Sequence, residues 1–305
     1  MRPNDKPIIS FPLISGVDET CLYIGDRWLF HYTTAESFFK IIKSLKLKTA
    51  RLEKLNDLNE INYDAYSMFS MPEMVKYKEY VERKCSIACF SHHTLYPYGN
   101  RRQCNYLVPG CCNPSMWAHY AGNISGVCLC LDRNKLYKEN QKIFGDNVEL
   151  QKVNYKIKYR SFERERSSEE FLRKYRNDIF FLKDVSWQNE SEVRLLLTDI
   201  NPDAEEPMIS IADSLEAIVF SQTFWKNNKE EFIEEVLRPD SFLGNMCPIY
   251  WLMLTSNYIA YDAGPGIAGL FINELSSIQK RNGDLENRIE IYKRRLHKDY
   301  HMCTV

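Results

Sequence analysis

Trp187-Gln188-Asn189-Glu190-Ser191-Glu192-Val193-Arg194-Leu195-Leu196-Leu197 turns from polar to apolar within a few residues and ends in a leucine run, the pattern of a strand entering a core. Side chains alternate between the two faces of a strand, so the spacing predicts Glu190, Glu192 and Arg194 on one face and Val193, Leu195 and Leu197 on the other. Two rises of roughly 3.4 Å each put the two carboxylates about 7 Å apart, on a wall that also carries a guanidinium. The same triplet also fits a cross-strand ion pair on an edge strand. Residues elsewhere in the chain have to decide between a site and a surface pair.

The chain has 305 residues, 44% hydrophobic and 27% charged, with a formal net charge of -1. That is a globular composition with a sizeable core. The near-zero charge argues against a bulk electrostatic partner such as duplex DNA or an anionic membrane. Met1 to Pro12 carries prolines and charges ahead of any apolar run and does not read as a signal peptide. The apolar stretch around Met246 to Leu254 is too short to span a bilayer. No membrane partner and a cytoplasmic location are therefore expected. Ten cysteines without a signal segment read as reduced thiols. Cys104, Cys111 and Cys112 lie near His92 and His93, but without a CxxC pair, and no metal site is expected.

In chain order, Leu22 to Tyr32 reads as a strand with Trp28, Phe30 and Tyr32 on one face and His31 on the other. A helix follows, with Thr33 or Thr34 as its cap, Glu36 at capping-box spacing, and Phe38, Ile41 and Ile42 on its apolar face. His31 thus stands at a strand-to-helix junction, where backbone N–H donors gather. Lys54 to Glu60 is a turn-rich loop, Met68 to Lys84 a charged helical segment, Ser86 to Ser91 a buried strand, and Thr94 to Pro114 a long loop. Ser115 to Ala121 predicts a short helix presenting Met116, His119 and Tyr120, and Gly126 to Asp132 a strand behind it. Between Gln151 and Asp178 nine Lys/Arg face five Asp/Glu; the signs alternate from Glu163 onward, which favours a solvated face over a phosphate-binding one. Ser214 to Phe220 and Tyr250 to Asn257 read as strands, with an amphipathic helix from Lys229 to Leu237. No GxGxxG follows a strand, which disfavours a dinucleotide-binding dehydrogenase.

His31-Tyr32-Thr33, Asn56-Asp57 with Glu60, Phe90-Ser91, Met116 to Ala121 with Gly126 to Asp132 behind it, and Trp187-x-x-Glu190-x-Glu192-x-Arg194 occur in that order. Over roughly Phe30 to Phe220 the set resembles a bacterial family of unknown function, the one numbered 2971. Leu58-Asn59 stands where that family tends to show Pro-Phe and Ile124 where it often has His, and the Thr94 to Pro114 loop is longer than usual. The family in turn looks like a distant relative of the ADP-ribosyltransferases. That resemblance implies an α+β fold, a split β-sandwich with flanking helices over residues 1–265. It implies NAD as the substrate and cofactor, held by His31, Tyr32, Thr33, Asn56, Asp57, Ser91, Trp117, His119, Tyr120 and Arg194, with Tyr32 and Tyr120 flanking the nicotinamide ring. It makes Glu192 the catalytic carboxylate and Glu190 a base or nucleophile-orienting group. The acceptor, protein or nucleic acid, stays open, and a toxin or anti-phage defence role fits such chemistry. Two other readings remain: a hydrolase or nuclease using Glu190 and Glu192 with a divalent metal, and a non-catalytic sensor that kept the pocket.

Residues 266–305 are expected to form a second, helical segment with coiled-coil character. Phe271, Leu275, Ile278, Asn282, Leu285, Ile289, Tyr292 and Leu296 recur at spacings of four and three, with Leu275, Asn282, Ile289 and Leu296 at heptad position a and Ile278, Leu285 and Tyr292 at d. Asn at an a position is a device for fixing register in a two-stranded coil, whereas Gly283 costs roughly 1 kcal/mol in helix propensity. The pattern predicts a homodimer through this segment. Deleting the residues after Gly269 should give a folded monomer by light scattering; a truncated chain that stays dimeric would assign the stripe to the core instead.

Overall fold

The computed structural model describes residues 27–54, 69–97, 105–108, 110–157, 162–163, 165–236, 249–254 and 259–262. Its elements are β1 (Trp28–Thr33), α1 (Ala35–Ser44), β2 (Lys46–Lys48), α2 (Met71–Lys78), β3 (Ser86–Ser91), β4 (Thr94–Pro97), β5 (Asn105–Val108), α3 (Pro114–Tyr120), β6 (Val127–Asp132), α4 (Arg133–Phe144), β7 (Val148–Lys152), β8 (Asn154–Lys156), α5 (Ser168–Phe180), β9 (Leu182–Asp184), β10 (Glu192–Leu197), β11 (Met208–Ser210), β12 (Leu215–Ser221), α6 (Gln222–Val236), β13 (Ile249–Leu254) and β14 (Ile259–Asp262). The class is α+β with mostly antiparallel pairing, as expected. The chain divides into two compact units. Asn56, Asp57 and the whole heptad segment lie outside the described residues.

Unit 1 holds residues 1–44, 93–132 and 215–305. Its strands run in the order β14-β13-β12-β6-β1, antiparallel except for the parallel β12–β13 pair. The alternation predicted for β1 holds: Trp28, Phe30 and Tyr32 enter one core cluster with Cys128 and Cys130 of β6, Ala217 and Val219 of β12, and Met116 and Trp117 of α3. α1 begins where Thr34, not Thr33, accepts a hydrogen bond from the Ser37 N–H at 3.3 Å. Glu36 pairs with Lys40 instead of reaching back to a cap. The apolar face of α1 packs on α6, with Phe38 stacked on Phe232 and edge-on to Phe224. Asn113 caps α3 by accepting from the Ser115 N–H. The stretch from Thr94 to Pro114, expected as one long loop, contains the β4–β5 hairpin.

Unit 2 holds residues 45–92 and 133–214. Here β10 lies between β3 and β7, antiparallel to both. It is therefore an inner strand, and the edge-strand alternative is overturned because both of its ladders are occupied. Tyr77, Val81, Ile87, Phe171, Ile179, Phe180 and Leu196 form the core. α5 starts at Ser167, whose hydroxyl accepts from the Glu170 N–H, and Glu73 of α2 accepts from both the N–H and the hydroxyl of Ser168. On α4, Glu139 accepts from Ser210, Ser214 and the Asp213 N–H, while Asn140 exchanges two 2.8 Å hydrogen bonds with the Ser210 backbone. The alternating charges after Glu163 act as surface pairs: Lys174 bridges Glu163 and Glu165.

The turn from α3 into β6 leaves no room at Gly126, where a Cβ would lie 2.1 Å from the Thr33 carbonyl oxygen. That oxygen belongs to the backbone and cannot swing aside. Gly126→Ala should destabilise the chain by about 1–3 kcal/mol through overpacking, read as a lower urea midpoint at unchanged m-value; an unchanged midpoint would mean that the backbones separate freely there.

Candidate active site

Ser191 organises the charged residues of unit 2. It takes φ 46° and ψ 51°, a left-handed conformation uncommon outside glycine. A 3-10 helix from Val185 to Glu190 ends there, and β10 begins at Glu192. The expectation that Glu190 shares a strand face with Glu192, one pleat repeat away, is thus corrected: the chain turns between them. The consequence is convergence. Lys183 on β9 donates to Glu190 Oε2 at 2.8 Å and to Glu192 Oε2 at 3.2 Å. Arg194 donates from Nε to Glu192 Oε1 at 2.8 Å and from Nη2 to Oε2 at 3.2 Å, and from Nη1 to the Phe180 carbonyl at 2.8 Å.

All four groups are buried, Arg194 completely and Glu192 to 5% exposure. Among the described residues, the cations of Lys183 and Arg194 offset the two carboxylates, and such pairing favours their place in the interior. The Trp187 ring centroid lies 4.8 Å from Lys183 Nζ, adding a cation–π contact. The Tyr155 hydroxyl accepts from the Glu192 N–H at 2.8 Å and fixes the start of β10. Burial opposes ionisation of the Glu192 carboxyl, but Arg194, Lys183 and the Cys89 thiol outweigh it and hold the group down at about 2. Burial, followed by the field of Glu192, pushes the Cys89 thiol well up.

Across the β3 ladder Ser91 pairs directly with Glu192, which places the two side chains on the same face. The Ser91 hydroxyl is buried and has no hydrogen-bond partner among the described residues. A buried hydroxyl without a partner costs roughly 1–3 kcal/mol and calls for an explanation.

The other expected site residues, apart from Asn56 and Asp57 outside the described residues, fall in unit 1. Tyr32 and Trp117 are core: their rings meet edge-on at 5.3 Å, Tyr32 donates to the Gly110 carbonyl, and Trp117 Nε1 donates to the Cys111 carbonyl at 2.8 Å. Thr33 is buried at the end of β1, whereas His31 is half-buried on the opposite face from Tyr32. His119 is exposed and Tyr120 half-buried on α3. Ile124, at the position noted as a departure from His, takes φ 74°, rarely adopted by a β-branched residue, and its carbonyl accepts from Ser221.

Lys183 and Tyr155 are the site members that sequence reasoning did not single out. The available signal for Lys183 was a lone cation closing the apolar run Ile179-Phe180-Phe181-Leu182, since a lysine drawn into a core needs a carboxylate partner.

Because the Glu192 carboxyl sits at about 2 when folded against 4.5 in its ordinary range, its contribution to stability is complete above the ordinary value and is lost as pH falls through about 2. The shift corresponds to about 3 kcal/mol. Urea unfolding between pH 5 and pH 2 should show this loss in the parent and a shallower loss in Glu192→Gln; parallel pH slopes would remove Glu192 as its source.

No curated protein and no solved structure matches the chain. Residues 116–195, the span from α3 into β10 that carries Lys183, Glu190, Glu192 and Arg194, match the model of a family described as protein of unknown function (DUF2971), which supports the family resemblance over that span.

Proposed function

We propose that the chain is an NAD-consuming, ADP-ribosyltransferase-like enzyme of split β-sandwich type, which cleaves the nicotinamide–ribose bond at Glu192. The observation that carries this reading is the Glu192 carboxylate, held by Arg194 and Lys183 at the first residue of an inner strand. When the bond breaks, nicotinamide leaves with the bonding electron pair and the ribose ring takes up positive charge, as in glycoside cleavage. A fixed carboxylate stabilises that charge more than it stabilises intact NAD, and it needs no reorganisation to do so. Glu190 takes the proton of the attacking hydroxyl, amine or water, which closes the balance. The Ser91 hydroxyl opposite Glu192, without a partner among the described residues, adds support, because it offers a hydrogen bond that a ligand hydroxyl can complete.

The metal-dependent hydrolase reading is weaker on electrostatic grounds. Lys183 and Arg194 already neutralise both carboxylates, so a divalent cation there would meet little net negative charge. Chelator-sensitive turnover would restore that reading, and NAD binding without nicotinamide release would favour the sensor.

Incubating the full chain with adenylate-labelled NAD, alone and with cell lysate, should release nicotinamide. Glu192→Gln should lower the rate by on the order of a hundredfold or more while NAD binding stays within severalfold, measured well below the melting temperature of the variant. Undiminished turnover in Glu192→Gln would move the chemistry away from this carboxylate, and no nicotinamide release from the parent would end the transferase reading.

A further inference from the structure

Lys183 is buried on β9, a position in which lysine is rarely found unless paired. Its ammonium joins two carboxylates that reach it from opposite sides of the left-handed Ser191. Among the described residues, groups facing Glu192 come from five elements: Lys183 from β9, Glu190 from the 3-10 helix, Arg194 from its own strand, Cys89 from β3 and Tyr155 from β8. Arg194 spends Nε and Nη2 on Glu192 and Nη1 on the Phe180 carbonyl. Lys183 is what connects the Glu192–Arg194 pair to Glu190.

We infer that Lys183 is a positioning residue which holds the charge of Glu192 and fixes its separation from Glu190, so that Glu192 serves as a standing charge and Glu190 as a base. Without the ammonium, the two buried carboxylates lose the cation that both of them reach. Like charges so placed do not both stay ionised, and the pair takes up a proton. The kinetic side of this role rests on the proposed NAD chemistry, whereas the electrostatic side does not.

The test uses the full chain with carbon-13 in its glutamate carboxyls, titrated by NMR as the parent, Lys183→Met, Lys183→Arg, and Lys183→Met combined with Glu190→Gln, alongside nicotinamide release across pH. In Lys183→Met one glutamate carboxyl should titrate roughly one pH unit or more above its parent position, and the acid limb of turnover should move the same way. Lys183→Arg should restore both, which a purely space-filling lysine would not require. Adding Glu190→Gln should return the titration of the remaining carboxyl toward the parent, because one anion then faces one guanidinium. An unmoved titration in Lys183→Met overturns the inference, and so does a double variant in which Glu192 stays shifted. Should Lys183→Met fail to fold, the double variant decides: folding with a parent-like Glu192 supports the inference, and failure to fold overturns it. A parent that releases no nicotinamide while its carboxyls respond as described leaves the role of Lys183 standing and removes the NAD reading alone.

Discussion

The ammonium of Lys183 reaches Glu190 and Glu192 together because Ser191 leaves the strand conformation between them, and the surroundings in unit 2 answer the demands of that meeting. Each buried ion carries a desolvation penalty of several kcal/mol, which mutual attraction repays only when geometry and charge balance are both good. Balance comes from Arg194 on the next inward position of β10, and geometry from the Phe180 carbonyl and the Tyr155 hydroxyl. Even so, a well-packed apolar set of similar volume would stabilise the same interior as well or better. Stability alone therefore gives no reason to keep four charges here, and a chemical use for them becomes the stronger explanation.

Two aromatic residues of unit 1 handle their polar groups differently. Tyr32 and Trp117 each carry one donor into an otherwise apolar cluster, and each donor ends on a nearby carbonyl, Gly110 or Cys111. Satisfied in that manner, the two aromatics contribute burial and ring contact without leaving a hydrogen bond open. That is the profile of core residues. Ser91 in unit 2 differs, since its hydroxyl is as buried as those donors and has no partner among the described residues.

Much of the fold was legible because short apolar runs are reliable signals. The strand at Ser86–Ser91 has the predicted bounds, and the one read from Gly126 to Asp132 begins one residue later. The helix after Asn113 follows from its cap and the proline behind it. What escaped is what neighbours in sequence do not encode. Whether β10 is an edge or an inner strand depends on β3 and β7, more than forty residues away in the chain. Serine carries no mark of a left-handed conformation, so nothing at Ser191 warned that the strand would stop short of Glu190. Lys183 went unmarked because its two partners, Glu190 and Glu192, converge on it only through the turn at Ser191. Glu192 and Arg194 were legible as a pair because a strand repeat of two puts them on one face whatever the fold around them.

On the proposed reading the two carboxylates take different work. A carboxyl held at about 2 is almost always ionised near neutral pH, and by the same token it is a poor proton acceptor, since a useful general base has an affinity for the proton closer to the operating pH. Glu192 is thus fitted to act through its charge and unfitted to take a proton. Glu190 shares Lys183 with it but lies beyond the turn at Ser191, and the guanidinium of Arg194 is aligned on Glu192 instead. On the proposed reading proton transfer then falls to Glu190. On that reading the ammonium between them lets the two roles coexist within one small buried volume, because each carboxylate meets a cation there.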